Sequence, residues 1–352
     1  MTPFVHQTHP SRVMFGPGVL AQLPDEMQRL GFSRALVLST PEQVSSAERV
    51  ATLLGERAAG VFSEAAMHVP LETARLAREH ALRLGADCAV AIGGGSTIGL
   101  GKAIALDSGL PIIAVPTTYA GSEMTPIYGL TEGGVKKTGR DPRVLPVCVM
   151  YDPELSLSLP LGMTVVSAIN AIAHAAEALY AHDGSPIVSL MAEEGIRASA
   201  AALSPLRLNA QDLSARSDAL YGAWLCGSVL GLVSMGLHHK LCHTLGGSFN
   251  LPHAEVHTVI LAHALSYNAS HAPHAMERIA RAMGVTDAAQ GVLDLARCNG
   301  APTSLCAIGM PQEGLDKAAD LAVQSAYPNP RPLERYALRA LLQNAFDGTL
   351  TP

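Results

Sequence analysis

The chain has 352 residues, enough for two domains of ordinary size. Hydrophobic residues make up 48% and charged residues 15%, which excludes wholesale disorder. A net charge of -6 with only 4% aromatics excludes the basic, stacking surface of a nucleic-acid binder, so any cationic patch is local and suited to a small anion.

Strand and helix signals alternate through the first half. Residues 35–40 are a short apolar run, followed by a helical segment over 41–56. The spacing of Leu71, Ala74, Ala77, Ala81 and Leu84 predicts an amphipathic helix over 69–84. Residues 88–92 read as a strand entering a glycine cluster, and 111–115 and 144–150 are further apolar runs. Continuous apolar runs separated by helices predict a mostly parallel sheet covered on both faces. After Tyr151-Asp152-Pro153 strand signals nearly vanish. Helical periods then span 164–181, 186–202, 214–237, 252–267 and 332–345.

The uncharged stretch 219–237 has membrane length, yet it holds Gly222, Gly227, Gly231 and Gly236 and lacks strongly basic flanks. A buried core helix is expected there, and no membrane. The proline and glycine punctuation at Leu159-Pro160-Leu161-Gly162 predicts a hinge. The expected division is an α/β nucleotide-type domain over 1–158 and an all-helical domain over 159–352, with the cleft between them as the default site. Six cysteines without a CxxC pair read as reduced, mostly buried thiols of a cytoplasmic protein. The first fifteen residues lack the apolar core of a secretion signal.

Gly93-Gly94-Gly95-Ser96 follows a strand and opens a helix, with Ser96 as the expected cap. Such a loop either brings backbone N–H groups to a phosphate or makes a tight turn without a ligand. It fits neither the GxGxxG nor the GxxxxGK[ST] pattern. A second loop, Thr117-Thr118-Tyr119-Ala120-Gly121-Ser122-Glu123-Met124-Thr125, leaves the next strand where open α/β sheets bind ligands.

Of fourteen histidines, several fall at helical spacing. Asn170 and His174 share a helix face, His239 and His243 repeat the interval, and His253 precedes His257 by one turn. Paired polar residues on apolar helix faces predict a metal site or a polar catalytic pocket. His68, His182, His271 and His274 read as solvent residues, and His263 is open.

The two loops and the three histidine segments together resemble the iron-containing alcohol dehydrogenase family over nearly the whole chain. The resemblance implies a dinucleotide-binding α/β domain with a mostly parallel sheet, followed by an all-helical domain, an architecture shared with dehydroquinate synthase. It implies that Gly93, Gly94, Gly95, Ser96, Thr117, Thr118 and Thr125 serve the cofactor, with Lys137 at a ribose or phosphate. The family's metal ligands, an aspartate and three histidines, fall on Asn170, His174, His239 and His253, and His243 matches an additional active-site histidine. Asn170 departs from the pattern, because an amide brings neither the charge nor the affinity of a carboxylate. No metal is therefore expected.

Residues 167–174, 116–128 and 329–332 are similar to the maleylacetate reductase branch of the family. That likeness implies reduction of the carbon–carbon double bond of maleylacetate to 3-oxoadipate with NADH or NADPH, in aromatic or chloroaromatic breakdown. Such chemistry needs an oxyanion stabilised and a proton delivered, for which hydrogen-bond donors suffice. His243 and His253 are expected nearest the reacting atoms, with His174, His239 and Asn170 orienting a dicarboxylate. Tyr119, His238, Lys240 and Arg331 are candidates for its carboxylates, as is the run Lys136, Lys137, Arg140 and Arg143, otherwise a solvated turn. Cys242 is expected to react with thiol reagents without acting as the nucleophile. Thr40 falls where NAD-selective relatives carry an acid, so both cofactors are expected to be accepted, with Glu42 close by. A homodimer is expected from the family. The competing readings are a metal-dependent alcohol or polyol dehydrogenase, a lyase resembling dehydroquinate synthase, and an inactive nucleotide sensor.

Overall fold

The computed structural model describes residues 4–8, 11–133, 135–324 and 327–350. Contacts divide the chain into two compact units, one ending at Leu159 and the other running on from Pro160 and including residues 4–8.

The first unit is built on β1 (Arg12–Phe15), β2 (Ala35–Leu38), β3 (Ala58–Phe62), β4 (Cys88–Gly93), β5 (Ile112–Pro116) and β8 (Cys148–Tyr151), with the hairpin β6 (Ile127–Glu132) and β7 (Val135–Arg140) apart. The six-stranded sheet has the order β1-β8-β5-β4-β2-β3 with every neighbouring pair parallel. Strands β2, β4, β5 and β8 are buried throughout, which is why they read as unbroken apolar runs. Helices α1 (Leu23–Leu30), α2 (Val44–Leu54), α3 (Leu71–Leu84) and α4 (Gly95–Ser108) connect them.

Chain order and strand order diverge at β2 and β4. The chain runs outward from β2 to β3, then returns to the other side of β2 for β4. Ligands of open α/β sheets bind beyond the carboxyl ends of strands at such a reversal. Gly93–Gly95 follows β4 there, and Thr40 follows β2.

Three boundaries differ from expectation in this unit. The last strand begins at Cys148, because Pro142–Val144 forms a 3-10 turn capped by Asp141 and Pro146 has no N–H to give a ladder. Helix α3 begins at Leu71, since His68 and Val69 both take positive φ, 64° and 49°. Residues 135–140 form the second strand of an antiparallel hairpin rather than a solvated turn. The Lys136 side chain lies outside the described residues.

The second unit contains no strand among its described residues. Its helices are α5 (Leu161–Ala178), α6 (Pro186–Leu208), α7 (Leu213–Leu232), α8 (Leu237–Phe249), α9 (His253–Asn268), α10 (Pro273–Met283), α11 (Ala288–Cys298), α12 (Leu315–Val323) and α13 (Arg335–Asp347). Helix α5 is apolar nearly all round and is the central core helix. Among the described residues it is the one unbroken helix long and apolar enough to cross a membrane, and 83% of it is buried. The fully buried Arg216 ties α7 to it by a 2.7 Å bond to the Thr164 hydroxyl.

The stretch 219–237 is not one helix. Helix α7 stops at Leu232 and α8 leaves at 95°. Between them, the N–H of Ser234 donates to the Asp183 carboxylate and that of Gly236 to Glu177, so these amides leave the helical ladder. Tertiary carboxylates thus set a break that the uninterrupted apolar pattern does not announce.

Candidate functional site

In the first unit the site is a cradle at the ends of β2, β4 and β5. Gly93 has φ 154°, which only glycine adopts easily, and a Cβ there would collide with the Thr97 hydroxyl and stand 2.8 Å from Gln43 Oε1. Gly94, not Ser96, is the N-cap of α4, and no side chain caps that helix. The first amides of α4 are thereby left to a ligand, the arrangement that suits a phosphate. A Cβ on Gly94 would lie 3.0 Å from the Thr118 side chain, which lines the same approach. The loops after β2 and β5 are tied by the Gln43 amide, which donates to the Thr117 hydroxyl at 2.9 Å.

Several expected contacts fall elsewhere. Thr125 is buried, and its hydroxyl accepts from Lys102 at 3.0 Å and donates to the Ser122 carbonyl, so it is spent inside the protein. Tyr119 is fully buried and presents nothing to a carboxylate. Lys137 pairs with Glu132 across the exposed hairpin at 2.8 Å, and Arg143 pairs with Asp141 at 2.7 Å. Thr40 does lie at the end of β2, and the Glu42 carboxyl takes its hydrogen bond and is held below the usual range by its own backbone N–H and by Thr40. A carboxylate therefore does stand at that strand end.

Lys102 is a buried charge of this unit that spacing alone did not reveal. It is fully buried on α4, and its ammonium donates to the carbonyls of Ser122, Thr125 and Ile127. Burial pushes it down to about 7, opposed by Glu123. Its signal was present: it is the one charged residue in the apolar stretch 95–106.

In the helical unit α5, α8 and α9 gather six imidazoles. His174 stacks on His239 at 5.2 Å between centroids, and His257 lies 5.1 Å from His239 and 4.8 Å from His238. His253 packs on His257 at 4.4 Å and His243 reaches His239 at 6.3 Å. His174, His238, His239 and His257 are buried, whereas His243 and His253 are exposed and form the accessible face. Asn170, also buried, comes from the same helix as His174 one turn earlier.

Burial, reinforced by neighbouring imidazoles, pushes His174 and His257 well below the ordinary histidine range and His238 down to about 3. His238 is consequently neutral, with Nε2 2.9 Å from His257 Nδ1, and is no cation for a carboxylate. Burial likewise pushes the Cys242 thiol well up, so it lacks the thiolate that thiol reagents attack. Arg331 lays its guanidinium over the Tyr267 ring at 4.2 Å and donates to the Tyr267 carbonyl. Lys240 sits 5.9 Å from the Tyr327 ring. His68, His182, His271 and His274 are exposed, and His263 is buried and pushed down to about 4.

Glu177 is the organising residue that spacing did not single out. It is buried, and its carboxylate accepts from the N–H groups of Gly236 and His238 at 2.9 and 2.8 Å and from His239 Nδ1 at 2.7 Å. These donors overcome its burial and hold it down at about 2. It too is the one charged residue of its helix. Around it, Asn170 Oδ1, His174 Nδ1, His239 Nε2, His238 Nδ1 and His257 Nε2 are buried without a partner in the protein. Unpaired polar atoms in such number mark a place where a polar ligand completes the bonding.

The donor set is three imidazoles and an amide, which offer a divalent metal no anionic ligand. Asn170, His174, His239 and His253 are all neutral ligands, and Glu177 turns its charge toward α8 and His239 Nδ1 instead. Among the described residues, the group of His, Cys and acidic ligand atoms gathered within 4.8 Å is His238, Cys242 and His257. Its facing imidazole nitrogens are joined to each other, and the far ring nitrogens lack the outer partners that metal-bound histidines keep. A dinucleotide, by contrast, fits the glycine cradle.

A parallel sheet with a glycine cradle at its reversal, followed by a helical unit with a polar imidazole cluster, defines a dinucleotide-dependent enzyme. Residues 10–153 match the family described as iron-containing alcohol dehydrogenase, and residues 164–346 match the C-terminal part of the Fe-containing alcohol dehydrogenase family. The chain belongs to the iron-containing alcohol dehydrogenase family. Within it, the chain is 68% identical to a maleylacetate reductase of Burkholderia cepacia over 99% of both chains. It is 56% identical to one from Pseudomonas knackmussii over 98% of both. The crystal structure of maleylacetate reductase from Agrobacterium tumefaciens superposes with a TM-score of 0.97 at 54% identity, covering 99% of each chain.

Proposed function

We propose that this chain is a maleylacetate reductase that works without a metal, takes NADH in preference to NADPH, and serves aromatic or chloroaromatic breakdown as a cytoplasmic homodimer. The observation that carries it is Asn170 at the metal-ligand position, inside a neutral, ligand-hungry imidazole cluster, in a chain 68% identical to a maleylacetate reductase. Glu42 beside Thr40 supports the cofactor order, since a carboxylate repels a 2′-phosphate.

When bound, the reduced nicotinamide supplies a hydride to the substrate carbon β to the ketone. The π electrons of the double bond move onto the ketone, and the resulting enolate oxygen requires hydrogen-bond donors. Collapse of the enolate then takes up one proton at the α carbon. His243 and His253, the exposed members of the cluster, supply the proton and the enolate contact. Asn170, His174 and His239 orient the substrate through their unpaired atoms, and Lys240 meets a carboxylate. A neutral amide at position 170 donates and accepts, whereas a carboxylate there would repel a dianionic substrate.

The test is NADH oxidation by chelator-treated, metal-analysed protein with maleylacetate against a panel of aldehydes and ketones. Turnover of maleylacetate without metal is expected. Asn170→Asp is expected to lower that turnover by at least about tenfold and to raise the zinc or iron content. Activity confined to aldehydes and dependent on added Fe²⁺ or Zn²⁺ would replace this reading with that of a metal-dependent alcohol dehydrogenase.

A further inference from the structure

The carboxylate of Glu177 is surrounded by donors alone. Oε1 accepts from the His238 N–H at 2.8 Å and the Tyr180 hydroxyl at 3.3 Å. Oε2 accepts from the Gly236 N–H at 2.9 Å, the His239 N–H at 3.4 Å and His239 Nδ1 at 2.7 Å. Part of this is capping from a distance: α8 has no side-chain cap of its own, and Glu177 on α5 satisfies its first amides. Gly236 admits the oxygen, since a Cβ there would stand 3.2 Å from Oε1.

Capping does not account for the shortest distance to Oε2, which goes to an imidazole. A carboxylate in that position has no proton to give, so Nδ1 of His239 carries the hydrogen. The ring is then held in one orientation and one tautomer, with Nε2 as its remaining atom. Nε2 is buried without a partner, in a ring that stacks on His174 and meets His243 and His257 edge-on.

We propose that Glu177 is a positioning residue for the reaction: through His239 Nδ1 it locks the imidazole so that Nε2 is presented to the substrate in the histidine cluster. Carboxylates behind functional histidines act in this way, fixing tautomer and ring direction together. The kinetic part of this inference rests on the reductase reading above; the structural part does not. Glutamine cannot replace the side chain, because its NH₂ would face an N–H on one side or the other.

A cavity of about 450 Å³ is lined in part by Glu177, Tyr180, Gly236 and Asn329. It offers an entry for a small anion once the side chain is removed.

The test has two arms. In ¹⁵N-histidine NMR of the unmodified protein, the resonances lost in His239→Asn are expected to show a protonated Nδ1 and an unprotonated Nε2. In the second arm, Glu177→Gln and Glu177→Ala are expected to lose about 10- to 100-fold in kcat, with KM for NADH held within about threefold. Sodium formate is expected to restore part of kcat in Glu177→Ala and to leave the unmodified protein unchanged. A protonated Nε2 with a bare Nδ1 in the unmodified protein would overturn the proposal, even if neither variant folds. So would Glu177→Gln within about twofold of the unmodified kcat, or folded variants whose kcat and cofactor affinity fall together without response to formate. A protein with the Nδ1–H tautomer but no turnover of maleylacetate would retire the reductase reading and leave the geometry of Glu177 and His239 standing.

Discussion

Gly93 concentrates the demands of the cofactor cradle in one residue. Its φ of 154° and the nearness of Thr97 and Gln43 leave no room for a β carbon. Gly93→Ala is expected to cost about 1–3 kcal/mol of stability and to weaken NADH binding at least about tenfold. Thermal unfolding and a fluorescence titration with NADH read the two effects, and unchanged affinity would show that the cradle tolerates a side chain. At this scale the strand-to-helix turn at the glycines was legible, because a run of three after a strand marks backbone that a side chain would obstruct. Ser96 as a cap was not, since Gly94 already takes the N-cap position. Neither were Lys102 and Glu177: a lone charge in an apolar helix signals a buried partner without saying which one. His238 and Tyr119 were misjudged for the related reason that a polar tip in a sequence carries no mark of its burial.

Among the elements, α4 and the segment 122–127 pack together and share one buried ammonium. Lys102 supplies the carbonyls of Ser122, Thr125 and Ile127 with a donor across a sequence gap of 20 to 25 residues. Lys102→Met leaves three carbonyls without it, at roughly 1–3 kcal/mol each where they stay buried. Urea unfolding is expected to show a loss above about 3 kcal/mol, and a midpoint unchanged from the parent would mean that water or a local shift replaces the amine. The continuous strands could be read from sequence because a strand buried on both faces must be apolar throughout. The β6–β7 hairpin could not, because its residues are only partly buried and carry no continuous run. The break between α7 and α8 was invisible for a different reason. Ser234 and Gly236 leave the helix to donate to Asp183 and Glu177, some fifty to sixty positions earlier.

Taken whole, the protein keeps an unusual number of histidines uncharged, and its stability follows from that. His238 and His263 are pushed from 6.5 to about 3 and about 4, and His174 and His257 lie well below their ordinary value. Below pH 6.5 the unfolded chain binds protons at these sites and the folded chain does not, so stability falls as pH drops from 6.5 toward 4. At pH 5, His238 and His263 each account for roughly 2 kcal/mol. Glu177, held at about 2 against an ordinary 4.5, adds a loss in the same direction between those values. Chemical unfolding at pH 8 and pH 5 is the measurement, and a flat profile between them would mean that the cluster protonates without cost.

Composition, local period and short motifs determined the α/β-then-helical class, the glycine loop and the single-helix pairing of Asn170 with His174, because each depends on neighbours within one or two turns. Tertiary structure alone decided which loops meet at the sheet reversal, which histidines are buried and neutral, and that Glu177 stands behind His239. Those outcomes depend on contacts between residues about 60 or more positions apart, where the chain's periodicity holds no information and desolvation, which sets charge and tautomer, arises only once the helices have packed.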